Sequence, residues 1–174
     1  MDTFAQVIEG WHDFYMMIGA AASTLVGLLF VSLSLNVKVI THKANADLRM
    51  LAAQTFVSFI CLIMFAVLFL IPDQGPLGLG LPMLGIDLTV LCATAQQFWK
   101  ARRKQSRFWR RGHLALRFAI PAICFVTVLI VAVTVLLGRT GGLYWFVPVT
   151  MLLIWDASLN AWDLLLRLYE PQEG

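Results

Sequence analysis

The sequence predicts an all-α, polytopic integral membrane protein, a single bundle of about five transmembrane helices. Three observations predict it. Of the 174 residues, 60% are hydrophobic and only 13% are charged, and the mean hydropathy is +0.79. A soluble domain of this length cannot hide so much apolar surface, because folding removes only about 70% of the chain's surface from water. Continuous apolar runs such as LIMFAVLFLI, 62–71, recur along the chain. They lack the alternation that a barrel strand needs, so helices are the form that satisfies the backbone in hydrocarbon. The basic residues, finally, gather in alternate loops.

The five segments are 14–37, 50–71, 77–99, 114–137 and 143–167. Each has the roughly 20 residues that a helix needs to cross a ~30 Å hydrocarbon core at 1.5 Å per residue. They form one membrane domain, residues 1–174, with no long linker or low-complexity tract. The first segment follows MDTFAQVIEGWHD, which carries acids and no lysine or arginine. A cleavable signal peptide has a basic n-region, so this segment is expected to stay in the mature protein. Within WHDFYMMIGAAASTLVGLLFVSLSLN, Gly19, Ser23 and Gly27 recur every four residues. Small residues at that spacing let helix backbones approach closely, and they predict a packing face.

The third segment is interrupted in composition. Pro76, Gly78, Gly80, Pro82 and Gly85 crowd its first half, which predicts a regular helix starting only near Pro82. Two readings stay open there, a long outer loop or a broken membrane helix.

Orientation follows from the loops. Lys38, Lys43 and Arg49 lie between segments one and two, and seven basic residues lie between three and four. The 72–76 loop has none and the 138–142 loop has Arg139 alone. The positive-inside rule places the N-terminus outside and the C-terminus in the cytoplasm. In FWKARRKQSRFWRR, 98–111, arginines alternate with aromatics in a way that superficially suits nucleic acid. The aromatic pairs bracket the cluster at both helix ends, which is the pattern of an interfacial belt. Trp99, Lys100, Arg102, Arg103, Trp109 and Arg110 are therefore expected to contact anionic headgroups, at about 1 kcal/mol per cation. No nucleic-acid partner is expected.

The polar residues inside the apolar segments carry the functional expectation. In IWDASLNAWDLLLR, Asp156, Asn160, Asp163 and Arg167 recur as one helical stripe, which must avoid lipid. Asp163 and Arg117 lie one turn from the inner ends of their segments, a placement that predicts a structural charge pair. Asp156 lies about eleven residues from the inner boundary, ~16 Å deep, and Asp87 lies at nearly the same depth. No lysine or arginine is placed to neutralise them. Such a midplane pair suits an ion or proton site at Asp156, Asp87 and Asn160. A protonated, hydrogen-bonded structural role is the other reading. His12, His42 and His113 are scattered, and Cys61, Cys92 and Cys124 sit in separate segments without a C-x-x-C neighbour. No metal, cofactor or disulfide framework follows.

Trp11-His12-Asp13-Phe14-Tyr15, then Gly19, the alanine run and Gly27-Leu28-Leu29-Phe30-Val31 resemble the start of a group of small, uncharacterised multi-pass bacterial membrane proteins. The resemblance covers about the first fifth of the chain and implies the bacterial inner membrane, with no activity attached. The expected function is a small channel or transport protein for a cation or protons. The alternative is a non-conducting accessory protein that binds another membrane protein through helix packing, and a homo-oligomer is compatible with either. No nucleophile–base pair, HExxH run or Gly-rich phosphate loop is present, so no enzyme is expected.

The loop asymmetry has a direct test. A cysteine introduced at Gln105 should react with impermeant thiol reagents only from the cytoplasmic side, and one at Gln74 only from outside. Labelling of both from one side would remove the five-span topology.

Overall fold

The computed structural model describes residues 4–41, 46–103 and 113–169. A short helix α1 (Phe4–Glu9) precedes the long helix α2 (His12–Leu35), and a second short helix α3 (Val37–Thr41) follows it. Then come α4 (Ala46–Leu70), α5 (Pro76–Arg103), α6 (His113–Leu136), a 3₁₀ turn (Gly141–Trp145) and α7 (Phe146–Tyr169). Among the described residues, five helices are long and apolar enough to cross a membrane.

Their outer faces carry large apolar side chains: Leu28 and Phe30 on α2 are each 63% exposed, and Ile130 on α6 is 59% exposed.

Helices α4, α5, α6 and α7 close a ring, each packing on its two neighbours, while α2 lies outside it against α4 and the edge of α7. The buried stripe of α2 is Tyr15, Ile18, Ala22 and Leu29. Only part of the expected small-residue face takes part. A Cβ on Gly19 would come 2.9 Å from the Ala66 Cβ, so this glycine permits the α2–α4 approach. Ser23 is exposed, and Gly27 has nothing within 4 Å of where its Cβ would be. The turn of the helix after Ala22 brings Leu29 rather than Gly27 to the interface.

The α5 start also departs from the expectation. The helix begins at Pro76 and runs through Pro82. Pro76 occupies the first helical position, where a missing N–H costs nothing. Pro82 forfeits one intrahelical hydrogen bond, and its ring lies on the exposed side. Gly80 has a packing reason: its Cβ would come 2.6 Å from Leu136 Cγ and 3.3 Å from the Leu136 backbone nitrogen. Gly80 thus seats α5 on α6, while Gly78 and Gly85 have nothing within 4 Å of a Cβ position.

Tight turns join α4 to α5 and α6 to α7. Gln74 donates from Nε2 to the Leu68 carbonyl at 2.7 Å, a second bond beside that from the Ile71 N–H at the end of α4. Gly138 has φ +73° and ends α6, with the Gly138 N–H returning to Val135 and the Arg139 N–H to Thr134. That pairing is the left-handed glycine cap, which L side chains resist. Hydroxyls inside the helices bond to carbonyls of the preceding turn, as Thr55 does to Leu51, Ser58 to Gln54 and Thr150 to Phe146. Each hydroxyl satisfies itself without needing a neighbouring helix.

Aromatic rings pack at the end of the bundle that carries these tight turns. Tyr15 stacks on Phe69 with centroids 3.8 Å apart, and Phe146 meets Phe69 edge-on at 5.4 Å and Phe65 at 5.9 Å. Trp11 meets Tyr144 at 5.1 Å. Phe65, Phe69, Tyr15 and Phe146 are all buried, and together they fill the space between α2, α4 and α7 at this end.

The three glycines yield a stability contrast. Gly19→Val and Gly80→Val should each lower the thermal unfolding temperature in detergent, by about 1–3 kcal/mol of overpacking. Gly27→Val should stay within about 0.5 kcal/mol of wild type. Equal effects at Gly19 and Gly27 would mean that the α2 packing face is misassigned.

Candidate functional site

Among the described residues the buried polar side chains are Gln54, Thr55, Ser58, Asp87, Thr150, Asp156 and Asn160, and the two acids lie about halfway along their helices. On α5 the buried stripe is Leu79, Met83, Asp87 and Val90, spaced so that all four face inward. On α7 it is Phe146, Val149, Thr150, Leu153, Asp156, Ala157, Asn160 and Leu164. Asp87 is 0% exposed and Asp156 is 5% exposed. Counted from the turn end at 1.5 Å per residue, Asp87 lies ~16 Å along α5 and Asp156 ~15 Å along α7. The two acids share one level.

Their surroundings differ. Asn160 Nδ2 donates to Asp156 Oδ2 at 3.0 Å, a bond within one helix that the i, i+4 spacing makes natural. Asp87 has no hydrogen-bond partner for either carboxyl oxygen among the described residues. Ordinarily more than nine in ten buried polar groups are satisfied, so an orphaned carboxyl is unusual. A bare carboxylate in this position costs several kcal/mol, so the group holds a proton or has a cation beside it.

Asp87 and Asp156 do not hydrogen-bond to each other. They sit on α5 and α7, which occupy opposite corners of the ring. Each has a cysteine neighbour instead. The Asp87 carboxyl lies within electrostatic range of Cys61 on α4, and that of Asp156 lies within range of Cys124 on α6. Both thiols are buried and free, at nearly the level of the acids. From composition alone the cysteines look like spectators. The signal that marks Cys61 is periodicity: Gln54, Ser58 and Cys61 fall on one buried face of α4, a polar stripe in an otherwise apolar helix.

Among the remaining expected residues, Asp163 is half-buried on α7. Arg117 lies on α6, and its side chain is outside the described residues, as are those of Lys100, Arg102 and Arg103 on α5. Trp109 and Arg110 lie outside the described residues altogether. Trp99 is 58% exposed, and the two tryptophans beside the acidic stripe, Trp155 and Trp162, are 67% and 62% exposed. They lie on the outer surface of the ring. Among the described residues, no group of three or more His, Cys, Asp or Glu is placed to hold a metal ion.

No protein-family model, curated protein or solved structure matches the chain.

Apolar replacements at Asp87 and at Asn160 should have opposite effects. Asp87→Val removes an orphaned carboxyl from an apolar stripe and should raise stability by about 1–3 kcal/mol. Asn160→Leu keeps the volume but takes a donor from Asp156, and should lower stability by a similar amount. Thermal unfolding in detergent measures both. A loss of stability in Asp87→Val would mean that the carboxyl has a structural partner.

Proposed function

We propose that this protein is a small membrane transport protein that passes protons or a small cation, with Asp87 and Asp156 as its exchanging acids. One observation carries the reading. Asp87 is fully buried in an apolar stripe with neither oxygen hydrogen-bonded among the described residues. A group kept for folding alone is expected to have a donor, because an unsatisfied one works against stability. Buried acids in membrane helices are by default proton or ion sites.

The chemistry needs little machinery. A carboxyl that gives up its proton becomes an acceptor for the next proton or for a cation, and the apolar stripe around it keeps bulk water from short-circuiting the exchange. An ionised Asp156 keeps the Asn160 amide as a donor. An ionised Asp87 has no such support, so it would release its proton only as another cation arrives. In this reading the N-terminus lies outside and the basic 98–111 segment meets anionic cytoplasmic headgroups. The resemblance of the first segment points to the bacterial inner membrane.

A second reading is supported by the aromatic packing around Phe146 and by the exposed faces of Trp155 and Trp162. A sealed bundle with large rings on its surface suits an accessory protein that packs against another membrane protein, or against a copy of itself.

Flux separates the two. Purified protein in liposomes should carry protons or a monovalent cation, and Asp87→Asn or Asp156→Asn should cut that flux about tenfold or more. Asparagine keeps the shape of the residue, so insertion and thermal stability should stay near wild type. Wild-type protein that carries nothing, or flux unchanged in both variants, would leave the accessory reading in place.

A further inference from the structure

The outward face of α7 carries a pattern of its own. Leu152, Trp155, Leu159, Trp162 and Leu166 follow one another at steps of three and four residues, and all five are about half exposed or more. That spacing is the 3.5-residue repeat of a seam that meets another helix along its length. Among the described residues no helix covers it: α7 packs on α4 and α6, and α2 touches only its edge.

Trp162, toward the far end of α7, suits an interfacial belt, where an indole meets headgroups. Trp155 does not. It adjoins Asp156, about halfway along the helix, and among the described residues its indole N–H has no acceptor. A donor left bare in hydrocarbon costs free energy. The middle of a lipid-facing stripe is thus a poor place for tryptophan, and the inside of a helix contact is a good one.

Beside the seam lies its complement. A groove of about 190 Å³ runs between α7 and α2, lined by Ser158, Ala161, Trp162 and Leu165 on one side and by Leu28 and Ser32 on the other. The four α7 residues stand at i, i+3, i+4 and i+7, the set that forms the hole for one knob of a facing helix. The volume suits an aromatic ring, since a cavity of ~150 Å³ holds benzene. The groove is apolar but for the hydroxyls of Ser32 and Ser158, and neither makes a hydrogen bond among the described residues. Thr24 and Ser34 on α2, by contrast, bond to carbonyls one turn back. The groove therefore offers an arriving indole N–H an acceptor.

We propose that α7 is the interface of a two-fold symmetric dimer, in which Trp162 of each copy enters the α2–α7 groove of the other and Trp155 packs one heptad away. The occupant is a second copy because knob and hole lie on the same face. A two-fold contact is self-complementary, so each surface must carry both. Copies in one membrane share an orientation, so their α7 helices run parallel and Trp162 meets the groove at its own level. The area suffices too. Two tryptophans and three leucines at these exposures offer roughly 600 Å² per copy, about 1,200 Å² in all, which reaches the range of stable interfaces. The inference rests on the membrane reading and is independent of ion transport.

Disulfide crosslinking of the full-length protein in its membrane tests the geometry. Cys92→Ala removes the exposed native thiol and supplies the background. There Leu159→Cys should give a crosslinked dimer under mild oxidation, because seam residues of parallel helices face their own counterparts. Ile130→Cys, comparably exposed on α6, should give about tenfold less, since two thiols bridge only where their Cβ atoms meet. Ser158→Phe fills the hole from the membrane side, and Trp155→Ala/Trp162→Ala removes the knobs. Each should raise the dimer dissociation constant in liposomes about tenfold or more, counted by subunit photobleaching as the protein is diluted in lipid. Thermal unfolding should stay near wild type in both. Wild-type protein that counts as one copy at every dilution, with Leu159→Cys uncrosslinked, would overturn the proposal. A dimer indifferent to both variants would place the contact on another face and overturn it as well. Crosslinking of Leu159→Cys to a different protein, in place of the dimer, would assign the seam to a foreign partner. Flux, present or absent, decides none of these outcomes.

Discussion

Among the described residues five helices are apolar enough to cross a membrane, and between such helices polar groups must find their partners chiefly within the chain. The rest of the structure follows from that constraint. Backbone groups are satisfied by continuous helices, including α5, which runs through an internal proline rather than unwind. Hydroxyls bond to the preceding turn of their own helix, as at Thr55, Ser58 and Thr150. Helix ends are closed by Gln74 at the end of α4 and by the left-handed Gly138 after α6. Packing between helices is then left to shape, which explains why Gly19 and Gly80 occupy the closest approaches. Against this background an orphaned carboxyl stands out.

The helical class and the buried acids were legible in the sequence because each leaves a local mark. Apolar runs of about 20 residues identify helices at any register, and a charge inside such a run must turn inward. Asp87, Asp156 and Asn160 are buried for that reason. What depends on one helix's rotation against another was not legible. The Gly19, Ser23 and Gly27 spacing is a valid packing pattern, yet α2 meets α4 through Tyr15, Ile18, Gly19 and Ala22, and Ser23 and Gly27 point away. The crowded prolines and glycines of α5 suggested a late helix start, and only the Leu136 contact explains why Gly80 is there. Short α1 and α3 lack the length to give a periodic signal. Nor does sequence reveal that Asp87 and Asp156 occupy opposite corners of the ring, since depth alone cannot tell one azimuth from another.

The ring has a regularity that links its two acids. Helices α4 and α6 run in one direction, and α5 and α7 return in the other. Exchanging the first hairpin for the second maps each neighbouring pair of helices onto another such pair. Each hairpin carries a buried cysteine midway along its first helix and a buried aspartate midway along its second. In this respect the bundle resembles two half-sites related by an axis along its length, the parallel form of internal repeat found in transport folds. The halves are not equal. Asp156 has an amide donor one turn away, while Asp87 has none among the described residues.

That inequality coincides with a second one, in packing. The hairpin holding Asp87 is the looser of the two, with α5 committed to α6 and only lightly joined to α4. If stability were the sole requirement, the unsatisfied acid would belong in the tightest seam, where the helix contacts could best compensate for it. It occupies the weakest, on the same helix as Pro82 and shortly after it. Two destabilising features placed together lower the cost of one particular opening while leaving the rest of the ring closed, since local opening occurs where contacts are fewest. Violations of packing and polar satisfaction that coincide at one place are accounted for by the transport reading proposed above, whereas a purely structural role for Asp87 leaves them without a reason.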